Sequence, residues 1–315
     1  MTADAPTKHA PLRIGTRGSP LALAQAHETR KRLAQAHDLD EDAFEIVVIK
    51  VTGDVIQDRP LKEIGGKGLF TREIEQALID GDIDIAVHSM KDMPTEQPEG
   101  LILDCYLPRE DVRDGFVSDT AKGLDGLDKG AVVGTSSLRR RAQLLARRPD
   151  LNVVEFRGNV QTRLQKLSDG VAECTFLAMA GLNRLGRADV PATAINPDEM
   201  LPAIAQGAIG IERRTDDARI AKMLSAVHHS DTGLRVDAER AFLRRLDGSC
   251  ETPIAGLAEL DGSMLTLRGE ILRPDGSEVL RGQRQGPASS GPEMGVDLAN
   301  ELLSQAAADF FAENH

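Results

Sequence analysis

The chain has 315 residues and a formal net charge of −12, a balance that opposes non-specific binding to nucleic acid or anionic membrane. With no Trp and one Tyr, it offers few stacking platforms for single-stranded nucleic acid. Hydrophobic residues make up 41 %, enough for the cores of two or three domains, and no apolar run approaches the ~20 residues of a membrane span. The three cysteines, Cys105, Cys174 and Cys250, show no CxxC spacing. With a polar start lacking a signal-peptide core, they imply reduced thiols and a cytoplasmic location.

Leu12 to Thr16 reads as a strand that runs into Arg17-Gly18-Ser19-Pro20 and a helix over Leu21 to Ala36. Ser19 suits the cap of that helix and Pro20 its first position. Phe44 to Val51 is a second strand. Gly65-Gly66-Lys67-Gly68 follows, and then a helix over Thr71 to Asp80. Ile83, Ile85 and Val87 alternate with Asp84, Ala86 and His88, the period of a strand. It ends in Ser89, Lys91, Asp92 and Pro94, and open α/β sheets place their ligands at such carboxyl ends.

The pattern repeats. Ala131 to Thr135 is a strand before Ser136, Ser137 and a helix through Arg139 and Arg140 to Arg148. Asn152 to Phe156 is a strand before Arg157-Gly158-Asn159 and a helix ending at Gly170, and Cys174 to Met179 is a strand. Leu78, Asp80, Gly81, Asp84 and Met90 align with Leu167, Asp169, Gly170, Glu173 and Met179 at one offset. Two related α/β domains facing one another, with a ligand cleft between them, are expected. Lys91 and Asp92 fall opposite Ala180 and Gly181, so only the first copy carries the charges. Ala208 to Glu212 reads as a strand able to cross back to the first domain. Helices follow over Asp216–His228 and Thr232–Leu246. Strands over Pro253–Leu260, Met264–Leu272 and Glu278–Arg284, turning at Asp261-Gly262 and Asp275-Gly276, precede a helix over Val296–Phe311. The domains are expected at 11–107 with 206–226, at 112–201, and at 230–315.

From Ala131 to Gly170 there are eight basic and three acidic residues, a local net of +5 in an acidic chain. Arginine grips carboxylates with paired planar hydrogen bonds, and helix N-termini favour anions. Arg17, Arg139, Arg140, Arg157 and Arg163, each beside a strand end or glycine turn, are candidate anion contacts, whereas Arg147 and Arg148 suit a solvated helix face. Lys67 and Arg184 join the set. No P-loop or HExxH motif is present, and no metal site is expected. Cys105 and Cys174, in apolar runs, suit buried inert thiols, while Cys250, in a turn between helix and strand, suits a nucleophile or attachment point.

Together these motifs resemble porphobilinogen deaminase (hydroxymethylbilane synthase) from Arg13 to about Phe311. The most specific pieces are Arg17–Leu23, Gly65–Phe70, Ala86–Asp92, Gly134–Arg140, Arg157–Val160 and the Cys250 loop. The resemblance implies two periplasmic-binding-protein-like α/β domains plus a small α+β domain, in a cytoplasmic monomer of porphyrin and haem biosynthesis. It implies condensation of four porphobilinogen molecules with loss of ammonia, then hydrolysis to hydroxymethylbilane. It also implies a dipyrromethane cofactor held by a thioether to Cys250, and Asp92 as the catalytic carboxylate with Lys91. The cofactor would meet Lys91, Asp92, Thr135, Ser136, Ser137, Arg139, Arg140, Arg157, Gly158 and Arg163. The substrate would meet Arg17, Ser19, Gln25, Lys67, Asn159, Arg184 and Gln206. Glu63, where some relatives carry Lys, and Ser249, where a Gly often precedes the cysteine, depart from the pattern. A small-anion-binding protein and a nucleic-acid regulator are the rival readings. The first needs neither Asp92 nor Cys250, and the second conflicts with charge and aromatic content.

Overall fold

The computed structural model describes residues 5–52, 71–248 and 252–311. The chain divides into two compact units, Met1–Arg109 with Ala208–Gly233, and Glu110–Gly207 with Leu234–His315.

The first unit begins with β1 (Leu12–Arg17), α1 (Pro20–His37) and β2 (Phe44–Ile49). The Ser19 hydroxyl accepts the Ala22 N–H at 3.3 Å, and Pro20 occupies the first turn, so α1 starts where its capping residues permit. It stops at Asp38, whose φ of +52° is left-handed. Its buried face carries Gln25, Ala26, Thr29, Leu33 and Ala34, the spacing of one helical stripe. Then come α2 (Arg72–Ile79), β3 (Ile85–Ser89) and β4 (Leu101–Tyr106).

In the second unit, β5 (Asp114–Val117) precedes β6 (Val132–Gly134), α3 (Leu138–Arg147), β7 (Asn152–Val154), α4 (Val160–Ser168), β8 (Cys174–Ala178), α5 (Met179–Arg184) and β9 (Ala192–Ala194). The chain then returns to the first unit as β10 (Ile209–Arg214) and α6 (Ala218–Ser225).

The sheet orders are β2-β1-β3-β10-β4 and β7-β6-β8-β5-β9. In each, three strands are parallel and the fourth position holds a strand antiparallel to both neighbours. The repeat extends to a side chain. Asp84, just before β3, accepts the Arg13 N–H at 2.8 Å, and Glu173, just before β8, accepts the Val132 N–H at 3.0 Å. Each acid thereby satisfies a backbone donor of the neighbouring parallel strand. Apolar cores line both faces of β3: Ile85 and Val87 pack with Leu12, Ile14 and Leu33, and Ala86 packs with Ile74 and Leu78.

The rest of the second unit is α7 (Ser230–Arg245) from Leu234 on, the antiparallel sheet β11 (Ile254–Asp261), β12 (Met264–Leu272) and β13 (Val279–Pro287), and α8 (Gly291–Gln305). Glu239 of α7 ties this sheet in, accepting the Ala258 N–H at 2.8 Å and the Ala205 N–H at 2.6 Å. Three strands depart from the sequence expectation by being present at all: β4, β5 and β9. The last helix starts five residues earlier than expected and ends at Gln305, because Pro292 sits in its first turn, where its missing N–H costs no hydrogen bond. Among the described residues no helix is long and apolar enough to cross a membrane.

Candidate active site

In the first unit the carboxyl ends of β1 and β3 lie side by side in a parallel sheet. A pocket opens there, with Arg17, Ser19 and Gln25 on its wall from β1 and α1, His88 and Ser89 from β3, Asp92 just beyond, and Thr71 at the start of α2. Ser19 is held by its capping bond. Gln25 is buried, and its Nε2 donates to the Ser89 hydroxyl at 2.8 Å, which locks both rotamers.

After Ser89 the chain makes one 3₁₀ turn, Met90–Asp92. Met90 is buried, and its N–H donates to Ala208 O at 3.0 Å, so the turn is anchored to the residue just before β10. Lys91 is half-buried and Asp92 is exposed on the pocket wall. The Asp92 carboxylate has no hydrogen-bond or ion-pair partner among the described residues. A carboxylate so placed, on a wall that also carries Arg17 and in a turn anchored by the Met90 N–H, is suited to act on a positively charged or proton-donating ligand group.

The arginine cluster of the second unit is arranged differently from the sequence expectation. Arg139 and Arg140 are buried, and the carboxylate they meet is Asp114 of β5, itself 0 % exposed. Arg140 donates through Nη2 to Asp114 Oδ1 at 2.7 Å and through Nη1 to Phe176 O at 2.8 Å. Arg139 Nη1 lies 2.8 Å from Asp114 Oδ2 and donates to Leu201 O at 2.9 Å. Burial alone would raise the Asp114 pKa, but the charges of Arg139 and Arg140 overcome it and hold the carboxyl far below the ordinary range. Gln206, also buried, donates to Asp114 Oδ1 at 3.0 Å. Two guanidiniums on one carboxylate leave this cluster one net positive charge.

The hydroxyls around α3 are tied to backbone. Ser137 Oγ accepts the Arg140 N–H, Thr135 Oγ1 the Ser137 N–H and Ser136 Oγ the Phe156 N–H. Asn159 caps α4 by accepting the Thr162 N–H at 2.9 Å. Gly158, at φ +122°, is required where it stands, because a Cβ there would come within 2.6 Å of the Thr162 side chain. Arg163 Nε donates to Gly158 O at 2.9 Å, and Arg184 Nη2 to Gly207 O at 3.0 Å. Arg157 differs: its Nη1 is buried with no hydrogen-bond partner among the described residues. Arg147 is exposed and donates to Asp198 O, in keeping with a solvated face, whereas Arg148 is half-buried, pairs with Asp150 and donates to Leu124 O and Leu127 O.

The Cys105 and Cys174 thiols are buried, and burial first, then the neighbouring acids Asp104 and Glu173, push both pKa values up to about 12. Lys67, Glu63, Ser249 and Cys250 lie outside the described residues. Among the described residues there is no cluster fit to hold a metal ion.

Residues 12–222 match the family described as "Porphobilinogen deaminase, dipyromethane cofactor binding domain", and residues 233–304 match "Porphobilinogen deaminase, C-terminal domain". The chain belongs to the porphobilinogen deaminase family. A porphobilinogen deaminase of Paracoccus denitrificans (strain Pd 1222) is 71 % identical over 306 residues, covering 97 % of this chain and 98 % of that protein. A porphobilinogen deaminase of Oryza sativa subsp. japonica, named chloroplastic, is 55 % identical over 314 residues, covering 98 % and 88 %. Among solved structures, a periplasmic binding protein of Salmonella typhimurium superposes with a TM-score of 0.40 at 13 % identity, over 69 % of this chain and 91 % of that one. As a member of this family the chain is a transferase, a hydroxymethylbilane synthase of tetrapyrrole biosynthesis, and its substrate is porphobilinogen. Most of it, residues 12–222, is the part that binds the dipyrromethane cofactor.

Proposed function

We propose that this chain carries the dipyrromethane as a thioether on Cys250, with Asp92 as the catalytic carboxylate for condensing four porphobilinogen molecules. The observation that carries the reading is Asp92 itself, without a hydrogen-bond or ion-pair partner among the described residues, on a pocket wall shared with Arg17, Ser19 and Gln25. Each substrate brings an acetate, a propionate and an aminomethyl group. Arg17, with Lys67 from the glycine-rich segment, suits the carboxylates, and Asp92 suits the amine and pyrrole N–H groups.

The second unit fits an acid-rich cofactor. Arg157 offers a buried donor without an acceptor among the described residues, and the Asp114–Arg139–Arg140 cluster supplies net positive charge. Arg157, Arg163 and the helix starts at Ser137 and Asn159 would hold its carboxylates, with Thr135, Ser136 and Gly158 shaping the backbone there. Arg184 would meet carboxylates of the lengthening chain, and Gln206 acts by orienting Asp114. When bound, the dipyrromethane supplies the pyrrole carbon to which the first substrate is joined.

Asp92 stabilises the positive charge that develops on the substrate methylene as ammonia departs, and accepts the pyrrole N–H that carries this charge. Lys91 stands beside Asp92 in the same 3₁₀ turn, within reach of the substrate's carboxylates. A chain working as a cytoplasmic monomer completes the proposal. Intact-mass measurement of the purified protein tests it. The mass should exceed that of the 315-residue chain by two linked pyrrole units, and the excess should vanish in Cys250→Ser. A fully active protein of unmodified mass would overturn the attachment, and an inactive one that still binds porphobilinogen would favour the anion-binding alternative.

A further inference from the structure

Behind the pocket wall, on the face of the first sheet covered by α2, three ionisable side chains are buried together. His88 on β3 and Glu212 on β10 lie on the same face, since Glu212 pairs with Ala86 and His88 with Gly210 across the antiparallel ladder. His88 Nε2 stands 3.0 Å from Glu212 Oε2, with side chains 4 % and 0 % exposed. Glu75 of α2, which packs on β3 and β10, is buried within electrostatic reach of both. The second Glu212 oxygen, Oε1, is buried with no hydrogen-bond partner among the described residues. Two carboxylates against one imidazole is a costly arrangement out of water unless one of the acids carries a proton.

We propose that Glu75 is the proton-bearing member of this cluster, and that its proton keeps Glu212 free to fix His88 in the pocket wall. The inference rests on the Asp92 pocket being the reaction site. His88 and Thr71 both line that pocket, and both act electrostatically on Glu75. Ser89 and the Met90–Asp92 turn follow His88 directly, so displacing His88 disturbs the Gln25–Ser89 pair and the placement of Asp92. Glu75 is thus a positioning residue.

The charges around Glu75 favour this assignment. Burial raises its pKa most and the Glu212 charge raises it further, while the Thr71 hydroxyl, His88 and Arg72 oppose them without winning. Of the other charged residues on strands packed against α2, Arg17 of β1 stands on the pocket wall, and the rest are engaged elsewhere. Arg13 of β1 pairs with Asp84. Arg213 of β10 pairs with Asp104 of β4. Arg214 donates to Leu78 O at the far end of α2 and pairs with Asp217.

The test compares wild type with Glu75→Gln, a neutral isostere of the protonated acid, by two readouts. The first is stability. A raised folded-state pKa contributes stability that is full below the unfolded value and is lost as pH rises through the folded value. The melting temperature of Glu75→Gln relative to wild type should therefore climb as pH rises from about 4, where an unfolded glutamate titrates. A difference that stays flat overturns the proton assignment.

The second readout is KM for porphobilinogen. The ratio of the wild-type KM to that of Glu75→Gln should rise roughly tenfold over the same pH range in which the two melting temperatures diverge, less than a misplacement of about 1 Å can cause in a catalytic site. A stability shift with superimposable KM profiles would make Glu75 a purely structural group and overturn the positioning role. If Glu75→Gln does not fold, the wild-type His88 ring 15N signals decide. They should shift with the midpoint of the KM profile, and signals that stay constant there overturn the proposal. The stability arm depends on neither Cys250 nor Asp92, so failure there is separable from failure of the proposed function.

Discussion

Replacing Asp114 by Asn removes the one carboxylate that two buried guanidiniums share. Asp114 is 0 % exposed, and Arg139 and Arg140 approach it at 2.8 and 2.7 Å. Asparagine keeps the size and an oxygen for Gln206, so packing is preserved and the loss is electrostatic. Removing one partner of a buried pair costs about 3–5 kcal/mol, because the surviving charge is left uncompensated. For a folding unit of roughly 150–250 residues each kcal/mol lowers the melting temperature by about 2–4 °C, so a drop of about 6–20 °C is expected. Differential scanning calorimetry of both proteins across pH measures it. The Asp114 pKa is depressed in the folded state. Its contribution is thus full above the unfolded value near about pH 4 and disappears only as pH falls through the folded value. The gap between the two melting temperatures should be constant from about pH 5 to about pH 8 and close in stronger acid. A gap under about 2 °C at neutral pH would refute the reasoning that this cluster is held by its charges.

Two further outcomes follow from the same structure. Iodoacetamide applied to the native protein should leave Cys105 and Cys174 unlabelled, because both thiols are buried and their pKa values stand at about 12. Peptide mapping after labelling reads this, and rapid native modification of either would contradict the burial. Gly158→Ala should destabilise by more than about 1 kcal/mol, since alanine is strained at positive φ and its Cβ would strike Thr162. Urea unfolding measures the loss, and a neutral result would contradict the turn geometry.

The sheets were legible in the sequence wherever apolar residues alternate over a full strand. β3 and the hairpins of the last sheet are such cases, and Gly and Pro mark their ends. The return of the chain as β10 was legible as a possibility only, because pairing with β3 and β4 is a long-range choice. The three missed strands have local reasons. Asp114-Gly115 opens β5 with residues of low strand propensity, β9 is three residues long, and Asp104 interrupts the alternation in β4. At the site, the sequence pointed to Asp92, and the structure sets it on the wall of a pocket with Arg17 and Gln25. It could not assign the partner of Arg139 and Arg140, since Asp114 stands on a strand brought alongside only by folding. Glu75 and Glu212 likewise read as ordinary charged residues, and only the packing of α2 on the sheet shows them buried.

The central claim is that the Asp92 carboxylate drives loss of ammonia from bound porphobilinogen. A single-turnover experiment with the loaded protein tests this most directly, following ammonia release while substrate binding is titrated on the same preparation. Asp92→Asn preserves size and removes the charge. Binding should persist, and the rate of ammonia release should fall roughly 10²–10⁴-fold, the loss expected for a charge or proton partner of the reacting group. Release at a near wild-type rate by a variant that binds normally would contradict the account.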